Sequence, residues 1–335
     1  MSKISKNLCI VCGSEMRSFI GQIFDDRYGY PEQYSIERCS SCGQMRTMPP
    51  LIEEDLASLY SNHYPRKKVD LSALEREAQK VSKSGAKFWQ WLSGTDNQGH
   101  YSASPGEKVL DIGCGSCLSL LEMRNLGIDA FGVEADPNVR AIARHYKFPV
   151  HIGNIMDNPF PNELFDLVVL NQVIEHVPDP KILLNTVRSR LKTDGRVVLS
   201  FPNVNSWQRK LSGMKWINWH VPYHQHHFNL HSFQRLAKQQ GFQVVKIRTI
   251  TPNLWTILQL YSSFQNIEKN TFTNVWSLNP PESEVPRIFS RVKDFFKSVV
   301  LKCLTIAILI HNRLVDLLGY GDSIFVVLQS ERQSK

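Results

Sequence analysis

The stretch Val109–Cys117, VLDIGCGSC, decides the fold of this 335-residue chain. An apolar run that reaches Asp111 predicts a buried strand, and the glycines behind it predict a tight turn into a helix. Gly113 and Gly115 would let a ligand approach the backbone closely at the carboxyl end of that strand. Exposed amides at the start of the next helix favour an anionic group there. The stretch therefore predicts a nucleotide pocket.

Strand-like and helical patterns alternate along the chain from this stretch onward. The apolar runs predict strands at Lys108–Ile112, Ala130–Val133, Pro149–Ile152, Phe165–Asn171 and Arg196–Phe201. Helical patterns lie between them, near residues 117–126, 137–146 and 180–191. Because such alternation is typical of βαβ units, the expected fold class is α/β, with a Rossmann-like parallel sheet.

Two later apolar runs, Phe242–Ile250 and Ser323–Gln329, predict two more strands. The roughly seventy residues between them are too many for a plain loop in a compact domain. We therefore expect a helical insertion over about residues 251–320, before the last strand. Its helices are predicted at Glu284–Phe296 and Val299–Leu318.

The residues around the glycines indicate which nucleotide the pocket binds. A dinucleotide fold would place Gly or Ala at the third fingerprint position, where this chain has Leu118. The second strand ends in Glu134, whose carboxylate could accept hydrogen bonds from both hydroxyls of a ribose. Asp111 at the first strand tip could meet an amino group. Alone, Asp111 could be a helix cap and Glu134 a solvated acid, but together they favour a nucleoside.

From about Lys108 to Gln329 the chain resembles the class I S-adenosylmethionine-dependent methyltransferases. VLDIGCGSC looks like the first motif of that family, and GVEADP looks like the second. GNIMDNPFPNELFDLVVLNQVIEHVPDP is similar to the third and fourth motifs, and LKTDGRVVLSFPN to the turn and fifth strand. The resemblance implies a doubly wound sheet of seven strands, with the last strand antiparallel.

The resemblance also implies which residues hold S-adenosylmethionine. The methionine part would contact Asp111, Gly113 and Gly115, the ribose Glu134, the adenine Asn154 and Ile155, and Asn171 would lie beside the methionine end. The sequence departs from the family pattern at Cys117, where glycine is common, and at Asn154, where aspartate is common. We expect changed affinity rather than lost binding. Cys114 and Cys117 are interpreted as small loop and core side chains.

Four cysteines near the N-terminus have the spacing of a metal site. Cys9 and Cys12 form one C-x-x-C pair, Cys39 and Cys42 form another, and each pair precedes a glycine. Two such pairs can close a tetrahedron of thiolates around Zn²⁺, and four protein ligands make a structural site. The alternatives are unrelated thiols or a redox C-x-x-C motif. Zinc would stabilise a module too small to build its own core.

The N-terminal residues add a second resemblance. YSIERCSSCGQMRTMPPLIEEDLASLY is similar to the zinc-ribbon segment before the methyltransferase domain in a subgroup that acts on sugars of antibiotics and cell-surface polysaccharides. We expect a zinc-ribbon module over residues 1–64 and a helical linker over 65–104, with a helix at Leu71–Trp91. The methyltransferase domain would follow over 105–335.

Candidate bases for the acceptor are concentrated in His220–Phe228, which follows the fifth strand. Methyl transfer usually needs a base to remove the acceptor's proton. His224 aligns with a histidine of the family and is the leading catalytic candidate, and Tyr223 is the second, as a hydroxyl that orients the acceptor. These side chains could instead cap helices, pack, or bind a metal. The pair Glu175–His176 ranks below His224.

Composition and charge limit the location and the partners. The N-terminus has no apolar leader pattern, so a cytoplasmic protein is expected. The longest apolar stretch, Val299–Ile310, is interrupted by Lys302 and is too short to span a bilayer. The net charge is +8, yet no long basic block indicates nucleic acid. A basic, amphipathic pattern at Arg287–Lys297 permits peripheral membrane contact through residues 287–318, but a helix packed on the core explains it equally well. The insertion could also form a dimer surface or a lid over the acceptor side, and we expect the lid.

Together these features predict methyl transfer from S-adenosylmethionine to an oxygen or carbon of a sugar, nucleotide-sugar or cell-surface glycoconjugate. The expected cofactors are S-adenosylmethionine and a structural Zn²⁺, and the expected partner is a small-molecule or glycan acceptor. One alternative is an RNA methyltransferase that holds nucleic acid with its zinc ribbon. Another is a cofactor-binding protein of the same fold that has lost its chemistry.

Overall fold

The structure, a computed structural model, describes residues 8–64, 69–273 and 290–331 and contains a small and a large sheet. The small sheet has the order β1 (Met16–Phe24), β2 (Gln33–Cys39), β3 (Met45–Met48), β9 (His226–His227). The large sheet has the order β10 (Phe242–Ile250), β11 (Ser323–Ser330), β8 (Leu191–Pro202), β7 (Phe165–Asn171), β4 (Lys108–Ile112), β5 (Asp129–Glu134), β6 (Val150–Ile152). The helices are α1 (Glu53–Asn62), α2 (Leu71–Ala78), α3 (Ala86–Ser93), α4 (Leu118–Asn125), α5 (Val139–Tyr146), α6 (Pro180–Ser189), α7 (Trp207–Ser212), α8 (Leu230–Gln239), α9 (Asn253–Ser263) and α10 (Ser290–Leu317).

The large sheet has the mixed seven-stranded arrangement expected from the sequence. β4 pairs in parallel with β5 and β7, and β7 pairs in parallel with β8. β11 runs antiparallel between β8 and β10. The side chains of Leu167–Leu170 in β7 are fully buried, because helices cover both faces of a parallel sheet. The Rossmann-like methyltransferase fold is thereby confirmed.

Two of the helix predictions were wrong in their boundaries. The helix predicted at Leu71–Trp91 is divided into α2, a short 3-10 turn and α3, because Gly85 has a φ of 77° that ends regular helix. The break predicted between residues 296 and 299 does not occur, since α10 is continuous over Ser290–Leu317 and that break contains neither glycine nor proline. Residues 284–289 lie outside the described part of the chain.

Buried polar side chains fasten α10 to α9 and α3 at the edge of the large sheet. Asn312 donates to the side-chain oxygen of Asn253 at 2.8 Å and accepts from Thr256 at 3.1 Å. Arg313 donates to the carbonyl of Thr251 at 2.6 Å and to that of Trp91. The insertion therefore has a fixed place beside β10. Among the described helices, none is both long and apolar enough to cross a bilayer.

The N-terminal strands share a sheet with the histidine-rich segment. Met45 pairs with His227 and Arg46 pairs with His226, so β3 joins β9. The Thr47 hydroxyl donates to the His224 carbonyl at 2.6 Å. Because strand pairing is continuous from β1 to β9, the residues predicted as a ribbon are built onto the acceptor side of the large sheet.

Candidate active site

The glycine loop after β4 presents bare backbone at the carboxyl edge of the large sheet. Gly113 and Gly115 have φ values of 78° and 53°, where a side chain would be strained. A Cβ on Gly115 would meet nothing within 4 Å, so this position faces open space. Cys117 also has a positive φ, 64°, which is the conformation that glycine adopts most readily. The loop therefore leaves room for a ligand against its backbone.

Asp111 is the buried acid of this loop. Its Oδ2 accepts a hydrogen bond of 2.5 Å from the Ser119 hydroxyl, and its Oδ1 is buried with no hydrogen-bond partner in the described part of the chain. Burial raises the pKa of Asp111 to about 6, although the Ser119 hydroxyl opposes that shift. An unsatisfied buried carboxylate oxygen is suited to a positively charged ligand group, such as the ammonium of a methionine moiety.

Glu134 is held in a fixed orientation at the tip of β5. Its Oε2 accepts from the amide of Gly115 at 2.8 Å, and its Oε1 accepts from the amide of Asp136 at 2.9 Å. Each carboxylate oxygen keeps a second lone pair for a ligand hydroxyl. The acid therefore lies against the glycine loop, as a ribose-binding residue would.

Asn154 and Ile155 follow β6 on the same edge. The Asn154 side chain accepts from the Met156 amide at 3.1 Å, and the Asn154 amide donates to Asp157 at 2.8 Å. Ile155 is buried. The carboxylate of Asp157 therefore lies next to the backbone of Asn154. An acid is thus present near the position where the family commonly has aspartate.

Asn171 ends β7 and contacts the segment before β4. Its Oδ1 accepts from the Gly99 amide at 2.7 Å, and its Nδ2 donates to Gln98 at 3.3 Å. A Cβ on Gly99 would lie 2.8 Å from a methyl group of Val169, so only glycine allows this close approach. The linker predicted from the sequence thus closes one side of the pocket at Asn171.

Glu175, His176, His220, Tyr223 and His224 form a second group of polar side chains. The loop after β7 carries the first two, and their position is fixed because the Glu175 carbonyl accepts from the amides of the histidine-rich segment. The ring centroids of His176 and His224 are 4.6 Å apart, and those of His220 and His224 are 4.9 Å apart. We call these five residues the acid–base cluster.

Several groups of the acid–base cluster are buried without partners. Both carboxylate oxygens of Glu175, the Tyr223 hydroxyl and Nε2 of His220 are buried and make no hydrogen bond to any described residue. Leaving such groups unpaired is unfavourable, so the cluster is suited to a polar ligand. One atom each of Glu175, His176 and His224 lies within 4.8 Å of the others, close enough to share a proton or a divalent ion.

Burial sets the protonation states of the acid–base cluster. It raises the pKa of Glu175 to about 8 and lowers the pKa of His176 to about 4. It also lowers the pKa of His220 and of His224 well below the usual value. Near neutral pH the histidines are therefore uncharged, and Glu175 is largely protonated.

Three tyrosines of the N-terminal residues face this cluster. The rings of Tyr28, Tyr60 and Tyr64 contact Tyr223, with centroids 5.4, 5.4 and 5.7 Å away. Burial raises the pKa of Tyr60 well above its usual value, and the negative charges of Tyr64, Glu175 and Glu134 add to that shift. Sequence reasoning missed these tyrosines, although a high tyrosine content in residues 1–64 was visible.

The four N-terminal cysteines have a geometry that fits one Zn²⁺. Their sulfur atoms all lie within 4.8 Å of one another, with Cys9 and Cys42 at 3.6 Å and Cys12 and Cys39 at 3.3 Å. Tetrahedral zinc with bonds of about 2.3 Å to sulfur requires separations of about 3.8 Å. The amide of Cys42 donates to the Cys39 sulfur at 3.4 Å, which stabilises a thiolate.

The fold is that of the class I S-adenosylmethionine-dependent methyltransferases. Residues 73–247, just over half of the chain, match a family described as "Methyltransferase domain". The chain therefore belongs to this family of methyltransferase enzymes.

The relatives share the central part of the chain. The ubiquinone biosynthesis O-methyltransferase of Cereibacter sphaeroides is 35% identical over 120 residues, 33% of this chain and 49% of that protein. The enzyme of the same name from Glaesserella parasuis is 26% identical over 172 residues, 45% of this chain and 73% of that protein. A SAM-dependent methyltransferase structure from Archaeoglobus fulgidus has a TM-score of 0.41 and 18% identity, covering 77% of this chain and 99% of that one. The chain thus spans about half the length of the first of these relatives.

Proposed function

We propose that the protein transfers the methyl group of S-adenosylmethionine to an oxygen or carbon of a sugar, nucleotide-sugar or cell-surface glycoconjugate. The proposal depends on one observation: the acid–base cluster has unpaired buried groups, and the loop after β7 that carries Glu175 contacts the glycine loop, since a Cβ on Gly113 would lie 2.7 Å from Cγ2 of Val173. Both sites follow the carboxyl ends of neighbouring parallel strands, β4 and β7, where open α/β sheets bind ligands.

The residues of the glycine loop would hold the cofactor in one orientation. When bound, S-adenosylmethionine supplies an electrophilic methyl carbon on a sulfonium. Asp111 would accept from the ammonium of its methionine part, and Glu134 from the ribose hydroxyls. The buried side chain of Ile155 and the amide of Asn154 would contact the adenine. Asn171, fixed by Gly99 and Gln98, would stand at the methionine end.

His224 is proposed as the base for the acceptor. Its Nδ1 lies 2.9 Å from the Asn218 carbonyl, and since a carbonyl only accepts, Nδ1 carries the ring proton. Nε2 is then the nitrogen that would take the proton of an acceptor hydroxyl. The low pKa of His224 keeps the imidazole neutral, as a base must be. Glu175 stands beside it as a second proton acceptor above about pH 8.

The tyrosines around the acid–base cluster support a ring-shaped acceptor. Tyr28, Tyr60 and Tyr223 present ring faces and edges, on which the CH face of a sugar can pack, while Tyr64 is partly exposed at the rim. The names of the relatives favour oxygen over carbon as the methylated atom. They also make a ring precursor of ubiquinone the second acceptor class to test.

The experiment is a methyl-transfer assay with the full-length, zinc-loaded protein and cofactor labelled at the methyl group. Nucleotide-sugars and ubiquinone-type ring precursors are offered in parallel, and NMR of the product identifies the methylated atom. We expect turnover on a sugar-containing acceptor. Turnover on the ring precursor alone would show that the acceptor is a ubiquinone-type ring compound and not a sugar. Binding of the cofactor without turnover on any acceptor would favour the non-catalytic alternative.

A further inference from the structure

An exposed apolar surface is formed by three helices outside the proposed active site. Phe88 and Trp89 on α3, Leu260 on α9, Phe264 directly after α9, and Ile310 and Leu317 on α10 are all exposed, with Trp89 63%, Phe264 87% and Leu317 81% accessible. We call this surface the apolar face. A soluble monomer rarely exposes so many large apolar side chains side by side, so such a surface usually meets a partner or a membrane.

The apolar face is a fixed feature of the fold. Asn312 and Arg313 of α10 bind Asn253, Thr251 and the backbone of α3 through buried hydrogen bonds. These bonds hold the polar sides of the helices inward. The apolar sides of α3, α9 and the C-terminal half of α10 consequently remain directed outward.

The charges and side-chain types at this surface favour an anionic lipid bilayer as its occupant. Lysines are exposed around these helices: Lys83 and Lys87 lie within six residues of Trp89 in the sequence, and the ammonium of Lys210 lies 4.7 Å from the ring centroid of the exposed Tyr320. Aromatic rings with lysines around them are typical of helices that lie in the headgroup region. The net charge of +8 adds to the attraction.

A second copy of the chain suits this surface less well. A two-fold interface brings the same patch of both copies together, so the positively charged rims would face each other. Like charges in such a contact oppose association, whereas the negative surface of a bilayer attracts the same lysines.

We propose that the protein docks on anionic phospholipid membranes through the apolar face, with α3, α9 and α10 lying in the plane of the interface. The β10 end that leads into α9 lies beside the β8 end at Pro202, since β11 pairs with both strands there. The apolar face thus adjoins the sheet edge that carries Asp111, and docking brings that edge towards the lipid headgroups.

Flotation with phospholipid vesicles tests this docking directly and needs no turnover. Full-length protein is mixed with phosphatidylcholine vesicles that either contain or lack phosphatidylglycerol. We expect binding to the phosphatidylglycerol vesicles and weaker binding as salt rises, because salt screens the lysines. The double variant Ile310→Ser/Leu317→Ser should reduce partitioning at least about tenfold, because two apolar side chains of the apolar face no longer enter the interface.

Matched variants control for effects on folding. Leu164→Ser/Ile182→Ser removes the same residue types from exposed positions, 49% and 54% accessible, outside the apolar face, and should bind vesicles like the wild type. Lys83→Glu/Lys87→Glu should weaken vesicle binding, whereas Arg235→Glu/Lys238→Glu on α8 should weaken it less. If the wild type binds neither kind of vesicle, or if the Ile310→Ser/Leu317→Ser variant binds as well as the wild type, the proposal is wrong. If the wild type does not bind vesicles and elutes as a dimer in size-exclusion chromatography, the apolar face is an interface with a second copy of the chain.

Discussion

The hydroxyl oxygen of Tyr60 lies 2.8 Å from Nδ1 of His176, although 116 residues separate the two in the sequence. The same ring nitrogen is 3.1 Å from the Tyr223 carbonyl, which can only accept, so Nδ1 carries a proton. The N-terminal helix α1 therefore fixes the orientation of a histidine in the loop after β7. This contact joins residues 1–64, predicted as a zinc-ribbon module, to the acid–base cluster.

Replacing Tyr60 by phenylalanine tests that coupling. Tyr60→Phe removes the hydroxyl but keeps the ring, and we expect kcat to fall about tenfold, since His176 loses one orienting contact worth about 1.4 kcal/mol, which corresponds to a tenfold change in rate. Affinity for the cofactor should not change. Tyr34→Phe is the matched control, because Tyr34 is buried in the small sheet away from His176. An unchanged kcat and pH profile for Tyr60→Phe would limit this contact to packing.

Removing the imidazole of His224 tests the proposed base. We expect His224→Ala to lower kcat by a factor of about 100 to 10,000, the usual contribution of a positioned base, with nearly unchanged cofactor affinity. His226→Ala is the control, since His226 is equally buried but bonds the Pro178 carbonyl outside the acid–base cluster. Calorimetry measures the affinity, and labelled methyl transfer measures turnover. Equal losses in both variants would mean that His224 acts only through packing.

The raised pKa of Glu175 predicts the pH dependence of turnover. A carboxyl group with a pKa of about 8 is protonated below that pH and becomes a proton acceptor above it. If Glu175 receives the acceptor's proton, kcat should rise with pH, at most about tenfold per unit, and level off above about 8. Glu175→Gln should remove this rise. A rise of kcat that persists unchanged in Glu175→Gln would assign it to another group.

Asp111 should make cofactor affinity sensitive to acid. Its pKa of about 6 means that the carboxylate is charged above pH 6 and neutral below it. The dissociation constant of S-adenosylmethionine should therefore increase as pH falls below 6, at most about tenfold per unit. Asp111→Asn should bind weakly at every pH, with little dependence on pH. Titration calorimetry between pH 5 and 8 measures both, and an Asp111→Asn variant with the wild-type pH dependence would contradict this role.

The cysteine site predicts how much zinc the protein holds. We expect one zinc per chain, lost in Cys12→Ser and retained in Cys303→Ser, because Cys303 is exposed on α10 and outside the quartet. Loss of zinc should also lower turnover, because β3, which begins three residues after Cys42, pairs with His226 and His227. Elemental analysis gives the count. Two zinc ions per wild-type chain would place the second in the acid–base cluster, and none would contradict the structural site.

The succession of strands along the chain and the position of the glycine loop could be predicted from the sequence, because both depend on local patterns. The apolar runs predicted Lys108–Ile112 and Phe165–Asn171 with the observed boundaries. The helix boundaries were less predictable where a single residue decides them. Gly85, in its left-handed conformation, divided a predicted helix, while nothing in residues 296–299 interrupts α10.

The sequence alone determined the class of the fold and predicted residues for a cofactor pocket, since glycines and acids at strand ends act over a few positions. The spacing of the four N-terminal cysteines also predicted that they could share one metal ion. Only the tertiary structure revealed that Tyr28 and Tyr60 approach His176 and Tyr223, and that β3 pairs with β9. Such contacts join segments more than a hundred residues apart, and their formation depends on how whole layers pack, which no local pattern encodes.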